Sequence, residues 1–166
     1  MKFIGIFILA FATFVAGTVE LVIAGILNMI ATDLEVSVGR VGQLVSIFSL
    51  VFAFGAPILI GLTSRVERRK LLLIAMITFL LGNILSIISP NYTTLLIARI
   101  ILAASCSIVV VVSVTIAAKT VAVESRGRAI GIIFMGLSAS LVIGVPLGTI
   151  IGEHNQQFLY LNNLQL

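Results

Sequence analysis

Two ionisable residues, Glu20 and Arg99, stand inside long apolar stretches of this sequence. A charge at the centre of a bilayer costs about 2.5–3.5 kcal/mol on insertion scales. Side chains kept there at that cost face a protein interior or water, and they pair, bind ions or relay protons. Glu20 belongs to the series Thr13, Gly17, Glu20, Ala24, Asn28, spaced by four, three, four and four. That spacing puts small and polar residues on one helical face, with Phe7, Phe11 and Phe14 largely on the other. Asn28 thereby joins Glu20 and Arg99 as a candidate for proton coupling or substrate contact. Arg99, Ala103, Cys106, Val110, Ser113 and Ala117 form a second stripe of the same kind. Both stripes suit an interior surface or a water-filled cavity. A proton relay and a fixed ion pair that only holds helices together are both open to Glu20 and Arg99.

Other chemistries find no support in the residues. Cys106 is the single cysteine, so no intrachain disulfide forms, and it reads as a small packing residue. The one histidine, His154, has no partner at metal-ligand spacing. There is no phosphate-binding loop, which argues against direct ATP drive, and no Ser–His or Cys–His pair. The chain does not read as an enzyme, and a proton gradient rather than a cofactor is the expected energy source.

The elements that must position these residues follow from composition. Of 166 residues, 60% are hydrophobic and 10% charged, with a mean hydropathy of +1.29. Soluble domains carry about 25% charged residues, and a soluble globule of this size leaves roughly a third of its unfolded-chain surface exposed. Lipid is the solvent that fits. The net charge of +4 does not indicate nucleic acid, because the basic residues cluster between apolar runs and form no basic face with interleaved aromatics. The first run is too long for a secretory signal, whose apolar core spans about 7–15 residues.

About 20 apolar residues cross the hydrocarbon core as a helix. Five segments qualify, at residues 3–30, 41–62, 71–89, 93–118 and 129–152. Val- and Ile-rich stretches such as residues 108–112 hint at strand in water, but in lipid each segment must satisfy its own backbone groups, so helix is expected. Continuous apolar runs also argue against a barrel, which needs alternation over about ten residues. Lys and Arg gather at the N-terminus, in the second connection (Arg65, Arg68, Arg69, Lys70) and in the fourth (Lys119, Arg126, Arg128). The positive-inside rule makes these cytoplasmic, with the N-terminus inside and residue 153 outside. Glu20 and Arg99 then sit in the outer half of the bilayer. Asn91-Tyr92-Thr93 matches a glycosylation pattern but hugs the membrane, and is read as chance.

The fifth span carries Gly136, Ser140, Gly144, Gly148 and Gly152 at every fourth residue, a face for close helix approach. Pro146 within it should kink or loosen the helix. Gly55-Ala56-Pro57 in the second span echoes Gly144-Val145-Pro146 in the fifth, as two inverted three-helix repeats would.

On these residues the chain resembles the major facilitator superfamily in its drug:proton antiporter branch, over about residues 5–152. Val19-Glu20-Leu21 through Asp33-Leu34 looks like the branch's first helix, Leu95 to Arg99 its fourth-helix motif, and Gly144-Val145-Pro146-Leu147-Gly148 its fifth-helix antiporter motif. The resemblance implies roles in coupling for Glu20, in proton transfer for Arg99, and in sealing against leak for the glycine–proline stretch. Within the branch, the run Arg126-Gly127-Arg128 to Gly136 is most similar to bacterial purine base and nucleoside efflux pumps, with the sugar-efflux group next. The cytoplasmic loop motif is only partly matched: Gly61, Arg65, Arg68 and Arg69 fit, the acid is missing, and Glu67 replaces the second glycine.

The fold expected is therefore all-α and transmembrane, an incomplete N-terminal six-helix half of a major facilitator fold, in a bacterial plasma membrane. Residues 153–166 are not apolar enough for a sixth span and read as a disordered tail outside the family pattern. The function implied is a truncated proton-coupled efflux transporter for purines, nucleosides or another small organic substrate, inactive alone and lacking a C-terminal half. Lipid and a small-molecule substrate are its expected partners. The alternative is an accessory membrane protein that docks through the glycine stripe of the fifth span.

Overall fold

The structure, a computed structural model, describes residues 2–63, 65–144, 146 and 150. Within these residues the fold is all-α. Helices run over Lys2–Gly25 (α1), Leu27–Asp33 (α2), Val38–Leu62 (α3), Arg68–Ile87 (α4), Tyr92–Thr120 (α5) and Arg126–Ala139 (α6). A 3-10 turn at Val123–Ser125 leads into α6, and a π-helical turn at Ser140–Gly144 extends it. Five segments are long and apolar enough to cross a membrane: Ile4–Ile23, Val38–Leu62, Arg68–Ile87, Tyr92–Thr120 and Val123–Gly144.

Their outward surfaces fit lipid. On α4 alone, Leu73, Ile74, Ile77, Leu80, Leu81 and Ile84 are exposed. An apolar face of that extent in water would drive aggregation. In lipid it costs nothing, because each helix satisfies its backbone groups internally.

The α5 helix is the hub. It packs against α4, α3, α1 and α6, and its interior face is built from small residues. Ala98, Ala103, Cys106, Ser107, Ser113 and Ala117 are all buried. Small side chains let helix axes approach closely where lipid supplies no hydrophobic drive. Ala12 and Ala16 of α1, Phe48 of α3 and Ala75 of α4 meet Leu102, Ala103, Cys106 and Val109 in one cluster. At Gly82 a methyl group would stand 3.0 Å from Leu102 Cγ, so the α4–α5 approach uses the missing side chain.

The first span is not one helix. The expected run to residue 30 breaks at Ile26, whose N–H lies 3.2 Å from the carbonyl oxygens of both Val22 and Ile23. Gly25, a weak helix former, precedes the break. The separate turn of α2 then ends on Glu35, whose φ of 51° is left-handed. The Glu35 N–H bonds to Thr32 O at 3.2 Å and the Val36 N–H to Ala31 O at 3.0 Å, the paired bonds that close a helix C-terminus.

Two helix starts, those of α3 and α5, carry side-chain caps. Ser37 accepts from the Arg40 N–H at 3.3 Å. Asn91 accepts at Oδ1 from the Thr94 N–H at 2.9 Å and lies 3.0 Å from its hydroxyl. The Asn91-Tyr92-Thr93 pattern thus has a local structural role, the N-cap of α5. By contrast, Arg68, Arg69 and Lys70 begin α4 against its dipole, which favours acids there. Their placement serves the connection's charge rather than the helix.

Pro57 leaves α3 continuous, whereas the π turn lies just before Pro146. A proline ring displaces the carbonyl four residues back and removes one backbone donor, so a widened turn relieves it. The expected tail, 153–166, lies outside the described residues.

Candidate functional site

Arg99 lies in the third turn of α5 and is 5% exposed. Its guanidinium has three kinds of neighbour. Nη1 donates to the Val19 carbonyl of α1 at 3.4 Å. The charge sits 5.8 Å from the centroid of the Phe48 ring on α3, within range of a cation–π attraction. Glu20 of α1 attracts it electrostatically. The Nε–H is buried without a hydrogen-bond partner among the described residues. An unmet donor in a buried site costs about 1–3 kcal/mol.

Glu20 is half-buried. Its charge acts on Arg99 and also on the Cys106 thiol, both on α5. No direct ion pair joins Glu20 to Arg99 among the described residues, so the two interact through space. A separation beyond hydrogen-bond reach leaves room for a bridging water or proton. Asn28 does not join them: it lies on α2, beyond the break at Ile26, and is exposed.

The small-residue stripe of α1 divides between two tasks. Thr13 and Gly17 face α6 rather than a cavity. Thr13 Oγ1 lies 2.8 Å from Ala10 O and 3.1 Å from Ile133 O, and is fully buried. A methyl group on Gly17 would strike Leu137 and Ser140. The opposite stripe on α6 fits in the same way. A methyl group on Gly136 would collide with the Ala10 carbonyl, and one on Gly144 would stand 2.7 Å from Thr18 Oγ1. Gly136, Ser140 and Gly144 are therefore consumed in packing on α1 within the chain. The face expected to dock another protein is, at these three residues, turned onto α1, with Gly136 remaining half-buried. Pro146 is exposed, while Gly148 and Gly152 lie outside the described residues.

The loop motif is less gathered. Gly61 lies in the last turn of α3, with open space around it. Arg65 is exposed and Arg68 half-buried. Arg69 lines a cavity of about 340 Å³ with Gly5 and Ile6 of α1 and Ile116 and Thr120 of α5. The start of α1, the start of α4 and the end of α5 thus share one end of the bundle. The opposite end carries a cleft of about 640 Å³ whose walls include Asp33, Glu35, Arg40, Asn91 and Tyr92. There the Tyr92 hydroxyl donates to Arg40 O at 3.0 Å.

A third cavity, of about 440 Å³, lies between α1, α2, α4 and α5. Arg99 lines it together with Thr18, Asn83, Ser86, Ser89 and Asp33. The polar members of α4 escaped the sequence reading. Asn83 and Ser86, three apart in the apolar last part of α4, are the signal that could have found them. Among the described residues no group of three His, Cys, Asp or Glu side chains stands close enough to hold a metal ion.

The sequence matches the family model of the Major Facilitator Superfamily over residues 9–161. It is 46% identical over 146 residues to the MFS-type transporter YbcL of Bacillus subtilis, an alignment covering 88% of this chain and 37% of that protein. A second Bacillus subtilis relative, the MFS-type transporter YtbD, is 42% identical over 145 residues, covering 87% and 37%. The inner membrane transport protein YdhP of Escherichia coli is 35% identical over 145 residues, with the same coverage. The chain thus spans a little over a third of the length of these relatives.

Proposed function

The chain belongs to the Major Facilitator Superfamily, and from that premise we propose that it supplies the proton-coupling helices of an efflux antiporter for purine bases, nucleosides or a similar small organic substrate. A multi-pass location in the cell membrane follows from family and span count together. The observation that carries the coupling reading is Arg99, buried at 5% exposure inside a membrane helix and attracted by the half-buried Glu20 across the α1–α5 interface. Families of this kind bind substrate near the bilayer midplane between repeats. An acid there, near a fixed cation but not locked to it, is able to exchange a proton for a substrate.

Glu20 is the proton carrier in this reading, and Arg99 sets the energy of its charged form. The packed α1–α6 seam at Gly17, Gly136 and Gly144 holds the carrier helix in place and closes that side to leakage. The bundle end bearing Arg65, Arg69 and Lys119 faces the cytoplasm. The substrate class rests on the similarity of residues 126–136 to purine and nucleoside exporters.

The test is a chimera in which this chain replaces the matching segment of the Bacillus subtilis relative YbcL. Inverted vesicles with an acid interior should accumulate a labelled purine, nucleoside or dye. Glu20→Gln should abolish that accumulation at unchanged membrane level. Arg99→Lys should retain part of it and Arg99→Ala none. Accumulation by Glu20→Gln equal to the parent's would overturn the coupling role.

A further inference from the structure

The 440 Å³ cavity beside Arg99 has no task in the substrate exchange just described. Three observations make it more than a packing defect. One wall is Arg99, nineteen-twentieths buried, whose Nε–H has no partner among the described residues. A donor in that position is met by water far more often than left unmet. A second wall carries polar residues among an apolar majority that includes Val22, Ile23 and Leu95: Asn83 and Ser86 of α4, and Ser89 just beyond its end, line the space with Thr18 of α1. Third, Asp33 and Leu34 line both this cavity and the 640 Å³ cleft at the end of the bundle away from Arg69. The two spaces meet at the C-terminus of α2.

The volume holds water comfortably, since a water occupies about 30 Å³ in the liquid. Ordered water also needs two to four polar partners, and Thr18, Asn83, Ser86, Ser89 and Arg99 provide them. The Thr18 hydroxyl donates to Phe14 O at 2.9 Å and the Asn83 amide to Phe79 O at 2.9 Å, so both keep acceptor capacity for water protons. The break between α1 and α2 at Ile26 lies in the cavity wall.

We propose that this cavity is a hydrated inlet, holding a column of water that runs from the outer cleft past Asp33 to Arg99. The inlet rests on the orientation and coupling given above, and it extends them. Protons that drive efflux must reach the buried pair from the outer side. A column behind α1 brings them as far as Arg99, which bonds to the α1 segment next to Glu20, without opening the substrate route. Leu34, half-buried at the junction, narrows the mouth, and the carboxylate of Asp33 beside it attracts cations, protons included.

Single cysteines at Asn83 and Ser86 test the inlet in sealed membrane vesicles of both orientations, with no substrate or transport required. Leu80→Cys, on the lipid face of α4, is the control, and the parent chain gives the background from buried Cys106. The probe is a membrane-impermeant anionic thiosulfonate, 2-sulfonatoethyl methanethiosulfonate, which reacts with ionised thiols and therefore needs water at the site. Asn83→Cys and Ser86→Cys should react from the outer face at least tenfold faster than Leu80→Cys. Adding Arg99→Gln should slow the anionic probe several-fold and leave a cationic thiosulfonate unslowed. Full reaction with N-ethylmaleimide after detergent extraction verifies that each thiol is intact. Rates equal to Leu80→Cys from both faces would show a lipid-filled crevice and overturn the inlet. Labelling only from the cytoplasmic face would overturn it as an outer route. Loss of coupling in Glu20→Gln with no labelling would leave the transport proposal standing and remove the inlet alone.

Discussion

Hydroxyls at two buried positions show how one atom's partner decides a residue's worth. Thr13 and Ser113 are both fully buried. Thr13 bridges toward Ile133 O on α6, whereas Ser113 Oγ has no partner among the described residues. Interhelical bonds of the first kind contribute about 0.6 kcal/mol on average and up to ~1.7 in membrane proteins. Thr13→Val should therefore destabilise by about that amount, read as a lower unfolding midpoint in detergent. Ser113→Ala removes an unmet polar atom and should be neutral or stabilising. Equal losses in the two variants would refute this contrast. Arg99 stands between the cases: one bond to Val19 O, one aromatic face and one idle donor hold it. A planar guanidinium suits that arrangement and a lysine ammonium reproduces only the charge, hence the partial function expected of Arg99→Lys.

Helices and their joints carry the next set of consequences. The α1–α6 seam depends on absent side chains, so Gly136→Ala should force the helices apart at the Ala10 carbonyl and cost about 1–3 kcal/mol. Gly5→Ala, with open space around it, should stay within about 0.5 kcal/mol. A thermal-unfolding series on the two variants decides the matter, and equal midpoints would contradict the packed seam. At the end of α2, Glu35 holds a left-handed conformation that costs a non-glycine residue about 1 kcal/mol. Glu35→Gly should raise stability by about that much. The five spans were legible from apolar run length and flanking charge alone, because in lipid hydrophobicity and helix coincide. The break at Ile26 was not, since Gly25 and Ile26 are both apolar and local bonding decides it. Small-residue spacing on α1 showed a face but not its partner. Thr13 and Gly17 went to α6 while the charge of Glu20 acts on α5, a split that three-dimensional packing sets. The widened turn before Pro146 agrees with the ring's effect on the preceding carbonyls, whereas Pro57 leaves α3 continuous, so the ring alone does not decide the outcome.

At the scale of the molecule, charge and polarity are sorted along one axis. Basic connections gather with Arg69 at one end, and Asp33 and Glu35 gather with Arg40 and the Tyr92 hydroxyl at the other. Between them α5 ties α1, α3, α4 and α6 into one bundle, and its buried Arg99 faces the same α1 segment that carries Glu20. Carriage of a proton against a substrate needs a titrating group inside the bundle, a fixed charge beside it and helices packed tightly enough to prevent leak. The most direct measurement follows protons themselves. Purified chimera with YbcL in weakly buffered detergent solution is mixed with whichever substrate the vesicle screen selects, and a pH-sensitive dye reports the protons released. Release that tracks substrate occupancy in the parent and vanishes in Glu20→Gln is the predicted result. Undiminished release from Glu20→Gln would contradict the assignment of the proton to Glu20.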